Sequence, residues 1–295
     1  MLFHTDPALC LTFFPSPWYS ITNPKKYSKK EWYTMLHTDF DPDRTAVISP
    51  IDVIEPVDHM PQSMVGVFSH RIVDAFVART GSEPITVFKS CMGHLPIYRC
   101  VLPDGFTFAL VSMPIGGPFA ADMLEETHAM GVRQFVTFGS CGALDHQVTA
   151  GHLLVPTAAV RDEGTSYHYL PPAEEIALQP DGVAAVCDAL DTLGVPYTRT
   201  KTWTTDGIFR ETRGKVNKRL QQGCAVVEME CASMAAVAEF RGFSFAQFLW
   251  AADSLSGEAW DSRILGHLDL DSGALYMEIA IQALRNLQNK QEADI

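Results

Sequence analysis

From residue 46 onward, short apolar runs alternate with stretches whose apolar residues recur every three or four positions. The short runs predict strands over 45–48, 85–89, 96–101, 106–112, 134–138, 152–155, 197–203, 225–228 and 245–250. Helical spacing predicts helices over 64–79, 181–193, 212–222, 231–241 and 272–287. A further helix is opened by Ile115-Gly116-Gly117-Pro118 and runs to Met130. Gly81, Gly131, Gly194, Gly223 and Gly242 stand where helices should stop, and Pro103-Asp104-Gly105 joins two strands as a turn.

This alternation predicts an α/β fold of one domain over 46–295, a central mixed sheet flanked by helices. Residues 1–45 differ: they are rich in Pro, aromatic and Lys residues, with only a short helix expected over 29–37. Phe13, Phe14, Trp18 and Trp32 would anchor them as an extension on the body, or as an arm reaching a neighbouring subunit.

Composition narrows the function classes. Of 295 residues, 47% are hydrophobic and 19% charged, the balance of a cored chain. The formal charge of −13 argues against nucleic-acid backbones and anionic membrane surfaces as partners. It leaves room for a small anionic ligand in a locally positive pocket. Seven scattered Cys without a Cys-x-x-Cys pair support neither a disulfide framework nor zinc, and the His spacing offers no metal motif. The first residues lack a basic leader, carry Asp6 and are broken by Pro15 and Pro17, so no signal peptide is expected. With no apolar run of membrane-spanning length, the expected compartment is the cytoplasm.

Candidate chemistry lies where strands end, because ligands of open α/β sheets bind beyond the strands' carboxyl ends. Four segments qualify. Ser112–Pro118 places Gly116 and Gly117 before a helix, either as a cradle for a ligand or as a tight turn. Gly139-Ser140-Cys141-Gly142 follows an apolar strand and, read as a loop, could hold an anion or a sugar. Glu228-Met229-Glu230 puts two carboxylates at the end of a buried run; on extended backbone both point to one side. Glu230 alternatively favours the N-terminus of the helix that follows. Asp253 ends the apolar run Phe248-Leu-Trp-Ala-Ala, either as a turn cap or as a desolvated acid.

Taken in order, Ile-Gly-Gly-Pro, Gly-Ser-Cys-Gly, Val-Glu-Met-Glu and Asp-Ser resemble the nucleoside phosphorylase superfamily, over roughly residues 46–290. That family includes purine nucleoside phosphorylases, uridine phosphorylases and methylthioadenosine-type nucleosidases. Arg161-Asp-Glu-Gly-Thr-Ser-Tyr-His resembles its mid-chain segment. The resemblance implies that Glu230 binds the ribose hydroxyls, that Met229 packs on the sugar and that Glu228 lies at the base or sugar edge. It implies that Asp253 protonates a purine leaving group, that Phe209 stacks on the base with Arg210 beside it, and that Cys141 and Gly142 line the base side. Gly116, Gly139 and Ser140 would take phosphate.

The chain also departs from the pattern. Phosphorolytic members carry a Gly-Asp-Pro-x-Arg-like loop after the first strand, and the matching stretch read here is 48–53, which has neither the Gly nor the Arg. The Arg they carry two residues before the Gly-Ser loop is Thr137 here. Arg99 and Arg210 are candidate substitutes, and His37 is the nearest match to the family's 5′-hydroxyl contact from a neighbour. The resemblance therefore implies cleavage of a nucleoside's N-glycosidic bond, phosphorolytic and purine-directed, in purine salvage. A phosphate-independent nucleosidase and a nucleoside-binding protein without turnover are the alternatives. No cofactor beyond inorganic phosphate and no metal is expected. The implied assembly is a homodimer or a hexamer built from dimers.

Overall fold

The computed structural model describes residues 40–293 except Met92. Most of the expected arm, its anchoring aromatics, its helix and His37 lie outside the described residues.

Among the described residues, ten strands form one sheet. A short helix, α1 (Pro50–Val53), precedes β1 (Ser63–Val67) and α2 (His70–Thr80). Three strands follow, β2 (Glu83–Ser90), β3 (Gly93–Val101) and β4 (Thr107–Ser112), then α3 (Gly117–Met130) and β5 (Gln134–Ala143). Next come β6 (Leu153–Asp162), β7 (Glu175–Ala177), α4 (Pro180–Leu193), β8 (Tyr197–Thr205) and α5 (Arg213–Gln221). The chain ends through β9 (Cys224–Glu228), α6 (Cys231–Arg241), β10 (Ser244–Ser254) and α7 (Leu270–Ala293).

The strand order is β10-β6-β8-β9-β5-β1-β4-β3-β2, and β10 also pairs with β5. Five strands thus close into a ring, and the rest extend from it as an open wing. β5 runs parallel to both β1 and β10, and antiparallel to β9 at Gly142↔Val227. Ring closure removes the edges of the five strands at the site. Helices α4 and α7 cover one face, where Tyr276 meets Phe138, Phe248 and Trp250. α3 and α6 pack on each other across Gly117 and Ser233. No described helix is long and apolar enough to cross a membrane.

Three expectations need correction. Residues 45–48 form no strand: Val47 and Ile48 are exposed and pair with nothing. The first strand is β1, hidden in the N-terminal end of the helix expected over 64–79. All five of its residues are buried between β4 and β5, so it shows no alternation. Its apolar run continues in phase with α2, and a helical reading spans both. Third, residues 139–142 form no loop. They are the end of β5, kept in register by β10 and β9.

Gly182, in the first turn of α4, lies against β10: a Cβ there would sit 2.1 Å from the Phe245 carbonyl oxygen. Gly182→Ala should therefore push α4 off the sheet and cost roughly 1–3 kcal/mol, read as a lower midpoint in urea. An unchanged midpoint would show that α4 moves freely over β10.

Candidate active site

A cavity of about 250 Å³ opens where β5, β9 and β10 end. Gly139, Ser140, Cys141 and Gly142 line it from β5, Glu228, Met229 and Glu230 from the β9–α6 junction, and Asp253 from β10. The structure thus gathers three of the four sequence segments in one wall, with Ile115 entering from the fourth. A larger groove of about 890 Å³ runs along Arg44 and Phe240 and includes Pro118 and Asp206, but neither Glu228 nor Glu230.

The two glutamates have different roles. Glu228 is 6% exposed and accepts from Thr204 Oγ1 at 2.6 Å, Thr202 Oγ1 at 3.3 Å, and the N–H groups of Glu230 and Cys231 at 2.7 and 2.6 Å. It therefore caps α6, the role sequence reasoning offered for Glu230. Burial pushes its carboxyl up, and these four donors pull it back. Glu230 has left the extended backbone (φ −135°, ψ −24°) and is 7% exposed. It accepts a hydrogen bond from the Gly116 N–H at 2.6 Å. Burial, then the neighbouring Glu228 charge, pushes its carboxyl up to about 8. The Gly116 N–H is thus committed to a carboxylate and is not a free phosphate donor.

The Gly-Gly-Pro turn is held from behind. A Cβ on Gly117 would meet Ser233 Oγ at 2.4 Å, so only glycine lets α3 approach α6 this closely. Ser233 Oγ donates to Glu163 Oε2 at 2.7 Å, which also accepts from the Ser166 N–H at 2.9 Å. In β5, a Cβ on Gly142 would lie 2.7 Å from Leu255 and 3.4 Å from Asp253 Oδ1. The cavity wall needs glycine there because other chains press on the strand.

A register shift between Ala251 and Asp253 turns the Asp253 side chain into the cavity. Asp253 is only half-buried, not the fully desolvated acid its apolar run suggested, and its Oδ2 accepts from Trp260 Nε1 at 2.7 Å. Phe209 and Arg210 do not line the cavity, and Phe209 is 96% exposed. They sit in a short 3₁₀ turn, Ile208–Arg210, whose inward position is Ile208. Arg99 is exposed on β3, opposite Ala109, and does not line the cavity either.

Moving the first strand also moves the stretch that follows it. That stretch is Phe68-Ser69-His70-Arg71 instead of 48–53, and it does carry an arginine. Phe68 lines the cavity, and Arg71 Nη1 reaches the carbonyl of Gly266, next to the lining residue Leu265.

Sequence reasoning missed Arg71, Glu211, Gln247 and Trp260. Glu211 lines the cavity; burial, then the charge of Asp253, pushes it up to about 7. Gln247 interrupts an apolar strand, a signal that was available. It is 2% exposed, lines the cavity, and its Oε1 has no partner; neither has Thr137 Oγ1 beside it on β5. Such orphan groups cost about 1–3 kcal/mol each unless a ligand or water bonds them.

A family model described as "Phosphorylase superfamily" matches residues 71–285. A uridine phosphorylase of Thermococcus kodakarensis is 34% identical over 105 residues, 36% of this chain and 38% of that one. A guanosine phosphorylase of Halorubrum lacusprofundi is 28% identical over 139 residues, 47% of this chain and 58% of that one. The aligned stretches thus span less than two thirds of these relatives. The structure of a Toxoplasma gondii purine nucleoside phosphorylase in complex with immucillin-H shares the fold, with a TM-score of 0.66 at 20% identity over 81% of this chain and 94% of that one.

The Glu230 shift has a signed consequence. A carboxyl raised in the folded state binds more protons than the unfolded chain between its ordinary 4.5 and about 8. Stability contributed by Glu230 is therefore full below 4.5 and falls as pH rises through that window. Urea unfolding from pH 5 to 8 should show wild type losing stability relative to Glu230→Gln. A constant difference would place the Glu230 titration in the ordinary range.

Proposed function

The chain belongs to the phosphorylase superfamily, and we propose that it cleaves the N-glycosidic bond of a nucleoside. One observation carries this reading: Glu230, Met229 and Asp253 meet in a single cavity from two separate elements. Breaking the bond makes the sugar cation-like and the base anion-like. Glu230 stands to hold the sugar hydroxyls and oppose the developing positive charge, and Asp253 stands to serve the leaving base. Residues 46–295 would form the catalytic domain.

Phosphate is the preferred nucleophile. Relatives named as phosphorylases support this, as does the presence of an arginine, Arg71, in the stretch that follows β1. Asp253 favours a purine base. Hydrolysis is the second reading, because Glu211, Glu228, Glu230 and Asp253 line the cavity and, among the described residues, no Lys, Arg or His does. Ser140 and the β5 backbone remain the nearest neutral partners for an anion.

Incubating inosine, guanosine and uridine with and without phosphate decides between these. Phosphate-dependent release of purine base is expected. Release without phosphate would install hydrolysis, and preference for uridine would remove the purine assignment. Glu230→Gln should keep the fold and lose most turnover, since a neutral amide replaces the carboxylate beside the cation-like sugar. An unchanged kcat/KM would take Glu230 out of the mechanism.

We further propose a homodimer or a hexamer built from dimers, since the Pro- and aromatic-rich first 45 residues carry more apolar area than a free tail needs. Light scattering at micromolar concentration should give at least twice 32.6 kDa. A monomer would overturn it.

A further inference from the structure

We propose that Gln247 holds and orients the oxygen nucleophile that attacks the sugar, a role that rests on the nucleoside-cleaving reading above. Gln247 lies within apolar β10, is 2% exposed and lines the cavity, yet its Oε1 has no partner. Opposite it in the parallel β5–β10 register stands Thr137, 1% exposed, whose Oγ1 has none either. Among the described residues three buried side-chain polar atoms lack a partner, and two of the three occupy this single rung. Other glutamines near these strands are satisfied. Gln134 Oε1 accepts from Ser63 Oγ at 2.8 Å, and Gln179 Oε1 accepts from the Phe245 N–H at 2.9 Å. A buried acceptor that borders a cavity, in a sheet otherwise bonded, is costly unless a ligand supplies the missing hydrogen bond.

Its position selects the part of the reaction it meets. β10 lines the cavity with Asp253 at one end, Leu249 between, and Gln247 at the other. The stretch from Gln247 to Asp253 spans roughly 15–20 Å of extended strand. A nucleophile displaces a base from the face of the sugar away from that base. With the base served by Asp253, the attacking oxygen comes from the Gln247 end. The surroundings suit an O–H group. Phe68, Gly139 and Leu249 bring no charge to this end, and among the described residues no Lys, Arg or His lines the cavity. Oε1 is an acceptor and needs a donor. Water and hydrogen phosphate both carry one, and a fully ionised oxyanion does not.

The step balances with no further reactant. The C–N bond breaks, and its electron pair leaves with the base. A lone pair of the held nucleophile forms the new bond to the sugar carbon. The nucleophile gives up one proton in total, and the base gains one. Water thus yields free sugar and free base, and hydrogen phosphate yields sugar phosphate and free base. The carboxamide itself takes no proton. It fixes the O–H, and with it the direction from which the oxygen attacks.

Gln247→Met keeps the length of the side chain and removes the acceptor. Wild type and variant are compared on inosine, guanosine and uridine, with and without phosphate. The variant's kcat should fall on the order of 10²-fold, with KM for the nucleoside nearly unchanged. Where phosphate is the nucleophile, KM for phosphate should rise as well; where water is, the loss should be the same in both arms. A raised nucleoside KM at unchanged kcat would place Gln247 against the nucleoside and overturn the role. Urea unfolding gives a reading independent of turnover. The variant's midpoint should match or exceed that of wild type, because the change removes an unpaired buried oxygen. A lower midpoint would make Gln247 a structural partner and overturn the proposal. If wild type cleaves no nucleoside in either arm, the nucleoside reading fails and takes this role with it. If wild type cleaves and Gln247→Met matches it, the role fails alone.

Discussion

Everything at the cavity hangs on one buried carboxylate and the groups it holds together. Glu228 gathers two threonine hydroxyls of β8 and the N–H groups of Glu230 and Cys231 where α6 begins. That one group joins a strand of the ring to the helix behind the cavity, and it fixes where the chain turns after β9. Glu230 is placed by this turn, two residues on, in a low-dielectric setting beside a charge already present. Burial raises the Glu230 carboxyl first, and the neighbouring Glu228 raises it further. Structure and electrostatics are here the same constraint.

The ring supplies the second half of the geometry. β5 and β10 run parallel and side by side into the cavity, so their ends would normally present alternating side chains in step. The register shift before Asp253 breaks that step and turns a carboxylate inward. Space for it exists because Gly142 has no side chain, and because Val227 and Leu255 fill the remainder. The glycines at 139 and 142 are therefore packing requirements of a closed sheet. Their role as a ligand-binding loop is not needed to explain them.

How legible this was depended on whether a signal was local. Helices ended by glycine were readable to within a residue or two, because a left-handed C-terminal residue is a local demand: α4 stops at Gly194 and α6 at Gly242, both with positive φ. β1 was not readable. Its identity as a strand comes from neighbours far away in sequence, and its apolar run merges with the helix that follows. That single error displaced the stretch matched to the family's phosphate loop and hid Arg71. Paired carboxylates on an apolar strand end were visible as an anomaly, but which of them caps the helix is decided by Thr202 and Thr204, more than 20 residues upstream. Phe209 was chosen as an aromatic; in the turn that carries it Ile208 lines the cavity and Phe209 faces solvent. Trp260 had no signal at all, since its partner is set by the return of a loop.

The remaining tension is charge. A cavity lined, among the described residues, by four carboxyls and no cation should repel an anionic co-substrate, in a chain whose net charge is already −13. Protonation eases this from within. Burial raises Glu230 and Glu211 to about 8 and about 7, so these two keep their protons near neutral pH. The ligand-free cavity thus carries well under its formal four negative charges. A sugar ring becoming cation-like then changes the balance, since positive charge beside Glu230 favours its ionised form. On the proposed reading, Glu230 is closest to neutral when an anion must enter, and gains its charge as the glycosidic bond breaks. Stabilisation of this kind appears in the transition state and is absent from the ground state, which is the condition for it to raise kcat and not merely to tighten binding.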